Sequence, residues 1–168
     1  MIYNVTQEKM RDLALDWVNE KNGIIELGCS SGNFAEKLSS KGITNYCGID
    51  IQQDKITEAR KRLPKMNFVC CDIINNLSVL KEAQTFISFQ SLEHIEDDLK
   101  ILKALNKGTN VIISVPNSPY KGHIRWFELE GWEKRFSKYI DFEDIITIQN
   151  PKKLKKRAFL FKGVRNEI

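Results

Sequence analysis

No stretch of this 168-residue sequence approaches the roughly 20 consecutive apolar residues that cross a bilayer, so no membrane span is expected. The start, Met1-Ile2-Tyr3-Asn4, lacks the charged-then-apolar layout of a signal peptide, and a cytoplasmic location is expected. Cysteine is sparse: Cys29, Cys47, Cys70 and Cys71 show no paired zinc-type spacing and read as reduced, mostly buried thiols. Repeats, low-complexity tracts and linkers are missing too, which leaves one domain over residues 1–168 as the expectation. Two phosphate-binding signatures are also absent. Counted from Gly28, the Gly-x-Gly-x-x-Gly fingerprint falls on Gly28, Ser30 and Asn33, so its second and third glycines are lost. No Gly-Lys-Ser/Thr follows either, which excludes a P-loop.

What is present is ordinary globular composition, 42% hydrophobic and 29% charged residues. The net charge of +4 is mild, but its distribution is uneven. Lys152, Lys153, Lys155, Lys156 and Arg157 crowd one short stretch, while Glu93, Glu96, Asp97 and Asp98 cluster centrally. Residues 5–20 place Met10, Leu13, Ala14, Trp17 and Val18 on one helical stripe, capped by Asn4 and stopped at Asn22-Gly23. Residues 1–22 are therefore expected to cover one face of a sheet.

From Gly23 onward, strand and helix patterns alternate. Strands are expected at Ile24–Gly28, Asn45–Asp50, Asn67–Asp72, Thr85–Gln90 and Asn110–Val115. They are short, apolar and rich in Ile and Val, as in strands buried on both faces. Helices are expected from Asn33 to about Ser40, over Gln53–Leu63, near Asn76–Lys81, across Ile95–Leu105 and over Glu128–Lys138. Two further strands, Glu143–Gln149 and Arg157–Val164, lie too close together for a parallel crossover and must form an antiparallel hairpin. The fold class is α/β: a three-layer, doubly wound, mostly parallel seven-stranded sheet closed by that hairpin.

The organising stretch is Ile24-Ile25-Glu26-Leu27-Gly28-Cys29-Ser30-Ser31-Gly32, a strand, a tight small-residue loop and then a helix start. Such a unit brings bare backbone and a helix N-terminus up to a ligand. Asp50 and Asp72 end the next two strands, where a carboxylate can accept two hydrogen bonds from a diol or read a polar ring edge.

Glu26-x-Gly28-x-x-x-Gly32, followed by these two acids and the closing hairpin, resembles the class I, Rossmann-like S-adenosylmethionine-dependent methyltransferases. The resemblance runs from Gly23 to about Val164 and points to the small-molecule O-methyltransferases of the type 11- and 23-like subgroup. It implies strand order 3-2-1-4-5-7-6. It also implies that Asp50 grips the cofactor ribose, that Asp72 reads the adenine amino group and that Ile51 and Ile73 flank the ring. Glu26, Gly28, Cys29, Ser30 and Gly32 would approach the methionine end, with Gln90 completing the cofactor set. S-adenosylhomocysteine would be the product. Ser30 stands where many relatives have a middle glycine.

After the fourth strand comes Gln90-Ser91-Leu92-Glu93-His94. It resembles the Glu-x-x-Glu-His segment of quinone-biosynthesis and small-RNA 2′-O-methyltransferases, whose acids and histidine hold a divalent metal. Gln90 replaces the first Glu, so a metal is admitted but not favoured. His94 stands as pocket wall, general base or metal ligand, with Glu93 and His123 as its catalytic companions. Glu96, Asp97 and Asp98 are expected to favour the first turn of the next helix. Asn117-Ser118-Pro119-Tyr120 looks like an adenine-N-methyltransferase motif but follows the fifth strand rather than the fourth. In His123-Ile124-Arg125-Trp126-Phe127, which resembles a family element over the acceptor site, Arg125 is expected to orient an acceptor. Trp126 and Phe127 are expected to pack.

Methyl transfer to an O or N nucleophile of a small molecule is the expected reaction. RNA methylation through the basic 152–157 turn comes second, and a catalytically silent cofactor-binding subunit third.

Overall fold

A computed structural model describes residues 2–19, 23–151, 153 and 155–167. Asn22 of the expected helix stop and Lys152 of the basic run lie outside the described residues, as does the Asn4 side chain. The strands are β1 (Ile24–Leu27), β2 (Tyr46–Asp50), β3 (Asn67–Cys70), β4 (Thr85–Phe89), β5 (Asn110–Pro116), β6 (Ile140–Gln149) and β7 (Arg157–Arg165). They form one seven-stranded sheet in the order 3-2-1-4-5-7-6. β1 to β5 are mutually parallel, and β7 runs antiparallel to both β5 and β6.

Alternation along each strand feeds two cores. Ile24, Ile87, Ile112 and Leu160 face the side covered by α1 (Ile2–Trp17), α2 (Asn33–Ser40) and α3 (Gln53–Arg62), against Met10, Ala14, Phe34, Leu38 and Ile56. Ile25, Phe86, Val111 and Phe159 face α4 (Asp98–Ala104) and α5 (Leu129–Phe136), against Ile101, Leu102, Trp132 and Phe136. The period-two pattern of a strand thus builds a three-layer sandwich from single residues.

Several boundaries differ from expectation. The first helix begins at Ile2, so Asn4 lies inside it rather than capping it. The segment near Asn76–Lys81 is not an α-helix but 3₁₀ turns, Ile73–Asn75 and Leu77–Glu82. The Asp72 carboxylate accepts from the Ile74 N–H at 3.0 Å and starts the first of them. The fourth helix begins only at Asp98, because Leu92–His94 forms a separate 3₁₀ turn after β4. Cys29 alone among the four free cysteines is fully buried; the others are half-buried. Among the described residues, no helix is long and apolar enough to cross a membrane.

Candidate active site at the carboxyl edge of the sheet

All parallel strands release their chains on one edge, and the loops there enclose two adjoining cavities. The larger, about 530 Å³, is lined by Gly28, Ser30, Asp50, Ile51, Asp72, Ile73, Gln90 and His94. Gln7 and Arg11 of α1 lean over it.

The loop after β1 requires its glycine at position 28. Gly28 has φ 76°, and a Cβ there would lie 2.0 Å from Ser91 Oγ. Ser30 takes a left-handed φ of 48° without being glycine. Its N–H donates to Asp50 Oδ2 at 2.8 Å, and the Gln52 N–H donates to Oδ1 at 2.9 Å. Charge-assisted bonds of this kind offset the backbone strain at Ser30. Asp50 therefore ties the loops after β1 and β2 together at the cavity rim.

Glu26, Cys29 and Gly32 do not line this cavity. Glu26 is buried behind the loop and accepts a hydrogen bond from the Tyr46 hydroxyl. Burial pushes its carboxyl up to about 7, against the opposing pull of Tyr46 and Arg11. The Cys29 thiol is buried and held well above its usual range, chiefly by desolvation. Gly32, at φ 83°, caps α2.

A smaller cavity of about 210 Å³ adjoins on the hairpin side, lined by Tyr120, His123, Lys153, Lys156 and Arg157 among others. Gln7 and Gln90 line both cavities. Gln90 holds φ 50°, with its backbone N–H donating to Ser114 O at 3.0 Å and its side-chain amide 3.3 Å from Ser114 Oγ.

The two histidines flank this junction, one lining each cavity, with ring centroids 4.8 Å apart. His94 Nδ1 lies 2.9 Å from Gly122 O, and His123 Nδ1 lies 3.1 Å from Ser118 O. A carbonyl cannot donate, so each Nδ1 carries the proton and each Nε2 of a neutral ring is an acceptor. Burial lowers the His123 pKa, and the charge of Lys156 adds to that effect. Behind them Glu93 is fully buried and touches neither cavity. Its Oε1 lies 3.7 Å from His123 Nε2, and desolvation pushes its carboxyl up to about 8. Glu93 is thus a neutral acid beside a neutral imidazole at pH 7.

One donor atom each from Glu93, His94 and His123 lies within 4.8 Å of the others. Ligands at about 2.0–2.1 Å around one tetrahedral zinc sit closer together than that, so the trio would have to contract around a cation.

Three expectations for this edge need correction. Arg125 does not face an acceptor. Its guanidinium donates to Leu92 O at 3.2 Å and Glu96 O at 2.9 Å and pairs with Asp98 at 3.3 Å, pinning the 92–98 turn. Asp98 is more than a helix-start acid: it is fully buried and forked by Arg135 at 2.9 and 2.6 Å. Trp126 and Phe127 remain 44% and 38% exposed; among the described residues Phe127 meets the Trp132 ring at 4.9 Å and Trp126 meets no ring.

Sequence reasoning missed Gln7 and Arg11, which helical periodicity assigns to a polar outer face, and Asn117. The Asn117 N–H donates to Arg157 O at 3.0 Å and its Oδ1 accepts from the Arg157 N–H at 2.7 Å. Its amide also reaches Lys155 O at 3.0 Å, clamping the basic turn to the end of β5.

A model of the methyltransferase domain family matches residues 24–110, just over half of the sequence. The chain belongs to that family, and its sheet is that of the class I, Rossmann-like S-adenosylmethionine-dependent methyltransferases. A trans-aconitate 2-methyltransferase of Rhodopseudomonas palustris (strain BisA53) is 26% identical over 142 residues, 80% of this chain and 56% of that protein. Its counterpart from Sinorhizobium medicae (strain WSM419) is 31% identical over 97 residues, 55% of this chain and 38% of that protein. The chain thus spans about half the length or less of these curated relatives. In fold it is similar to the N-methyltransferase NodS of Bradyrhizobium japonicum WM9, solved with S-adenosylhomocysteine, at TM-score 0.74 and 16% identity over 99% of this chain and 88% of that one. The magnesium protoporphyrin IX methyltransferase of Synechocystis PCC 6803, solved with S-adenosylmethionine, aligns at TM-score 0.75 and 16% identity over 96% and 81%.

Proposed function

We propose that this chain transfers the methyl group of S-adenosylmethionine to an oxygen or nitrogen nucleophile of a small molecule. The observation that carries this reading is the junction at Gln90, where a cavity lined by the loop glycine, Asp50, Asp72 and His94 meets a second cavity lined by His123. Two adjoining compartments suit a two-substrate transfer. The trans-aconitate methyltransferases, by name, act on a small molecule, which supports the acceptor class.

When bound, the cofactor supplies an electrophilic methyl on a sulfonium. The chain supplies position and proton handling. Asp50 and Asp72 would hold the cofactor's ribose and adenine ends, Ile51 and Ile73 would flank the ring, and the Gly28–Ser30 backbone would meet its methionine end. His94 accepts the proton of a hydroxyl or amine acceptor at Nε2, its Nδ1–H anchored on Gly122 O. His123 orients the acceptor on the far side, and Glu93 is the acid behind His123 that keeps a proton available at neutral pH. Glu93, His94 and His123 are also the residues that would hold a divalent ion if one takes part. The small volume of the second cavity, about 210 Å³, favours a small acceptor over RNA.

The test is a labelled-methyl assay over small-molecule, RNA and protein fractions, with and without divalent metal, alongside S-adenosylhomocysteine binding. Label in small molecules is expected, and Asp50→Ala should weaken cofactor binding at least tenfold, since two backbone donors also lose their charged acceptor. Label confined to RNA would overturn the acceptor class. Cofactor binding without methyl transfer would favour a silent subunit.

A further inference from the structure

The smaller cavity has a one-sided charge. Lys153, Lys156 and Arg157 line it, together with Gln7, Gln90 and His123, and no carboxylate is among its walls in the described residues. Arg157 is shared with Glu128 at 3.3 Å. Lys153 and Lys156 pair with no carboxylate among the described residues.

This charge is held in place by the backbone around it. The Lys153 N–H donates to Asn150 Oδ1 at 3.0 Å, the Lys156 N–H to Lys153 O at 2.7 Å and the Asn150 N–H to Lys156 O at 2.9 Å. Asn117 fixes both Lys155 and Arg157 from the end of β5. These bonds fix the described backbone from which Lys153, Lys156 and Arg157 reach the cavity. The cavity is also small, about 210 Å³ against the roughly 300–1,000 Å³ typical of drug-sized sites.

We infer that this cavity seats the methyl acceptor and that the acceptor is a compact oxyanion, a small molecule whose carboxylate or phosphate group is held by Lys153, Lys156 and Arg157. The inference rests on the methyl-transfer reading and narrows it. Lys153 and Lys156, which no carboxylate among the described residues neutralises, raise the local concentration of anions. His123 sits on the same wall with its Nδ1 proton committed to Ser118 O and its Nε2 turned toward Glu93 at 3.7 Å, so its ring bounds the cavity without adding a charge that would oppose the lysines. An anion anchored on the hairpin side therefore presents its nucleophile toward Gln90 and the cofactor compartment.

The experiment is calorimetric titration of the chain loaded with S-adenosylhomocysteine. The probes are citrate, succinate, inorganic phosphate, glycerol 3-phosphate, catechol, putrescine and a short RNA oligonucleotide. At least one anionic small molecule should bind, weakening as salt rises. The double variant Lys153→Ala/Lys156→Ala should reduce that affinity at least tenfold while S-adenosylhomocysteine affinity stays within about twofold. The carboxylate and phosphate arms then decide which group is recognised. Preference for catechol or putrescine, anion binding unchanged in the double variant, or no small-anion binding at all would overturn the inference. Tight binding confined to the RNA, with a steep salt slope, would overturn it in favour of a polyanion. A wild-type chain that fails to bind S-adenosylhomocysteine contradicts the methyltransferase reading itself, and that result is scored separately.

Discussion

Oε1 of Glu93 lies 3.7 Å from Nε2 of His123, with the Glu93 side chain sealed from solvent and neither of its oxygens hydrogen-bonded among the described residues. An ionised carboxylate could not sit there without a large desolvation cost, which is why its pKa rises to about 8 from an ordinary 4.5. Between those two values the folded chain keeps a proton that the unfolded chain releases. The folded state binds more protons there, so stability falls as pH rises through the window. Glu26, raised to about 7, acts with the same sign. Thermal melts should show Tm dropping from about pH 5 to pH 8, with a shallower drop in Glu93→Gln. Equal slopes in the two proteins would remove Glu93 from this role.

In the proposed reaction His94, which lines the larger cavity beside the junction, serves as the base. His94→Ala should lower kcat for hydroxyl acceptors by about 10²–10⁴-fold, with a much smaller change in S-adenosylhomocysteine affinity. If the two fell together, His94 would be a wall of the cofactor pocket instead of a base.

The loop glycine makes a two-part prediction. Gly28→Ala should destabilise the loop both through its φ of 76°, about 1–2 kcal/mol, and through collision with Ser91 Oγ at 2.0 Å. Combining it with Ser91→Gly should restore part of the cofactor affinity and leave the φ cost. Full restoration in the double variant would show that backbone conformation at Gly28 is unimportant.

Asp98 carries the largest structural prediction. It is fully buried between Arg135 and Arg125, and its removal takes away the carboxylate that Arg135 forks and leaves Arg125 with backbone carbonyls alone. Asp98→Ala should cost about 3–5 kcal/mol in chemical denaturation, and the 92–98 turn bearing His94 should loosen with it. A loss below about 1 kcal/mol would mean that these charges are solvated in practice.

How much could be read without coordinates differs by kind of feature. The strands follow from short apolar runs and the closing hairpin from a connection too short to cross over, whereas the strand order is what the family resemblance implies, and the sheet forms in that order. The strand-end positions of Gly28, Asp50 and Asp72 suffice to predict one shared edge, and all three line one cavity. Arg125 misleads because a guanidinium in a loop over the site could equally bind a ligand or pin carbonyls. The carbonyls of Leu92 and Glu96 come within reach only after β4 and the 117–128 loop are brought together. Gln7 and Arg11 are invisible for the opposite reason: they sit on the polar face of a helix whose apolar stripe accounts for its burial.

By itself, then, the sequence determined what local rules control. Periodicity set the elements, connection length set the hairpin, and positions needing bare backbone placed the loop at Gly28. Tertiary structure alone decided which polar groups lose water. Glu93 and Asp98 are both acids in one polar segment, yet one is a neutral acid beside His123 and the other an ion between two arginines. That difference arises because desolvation and pairing depend on neighbours some 30 residues away, which no local pattern encodes.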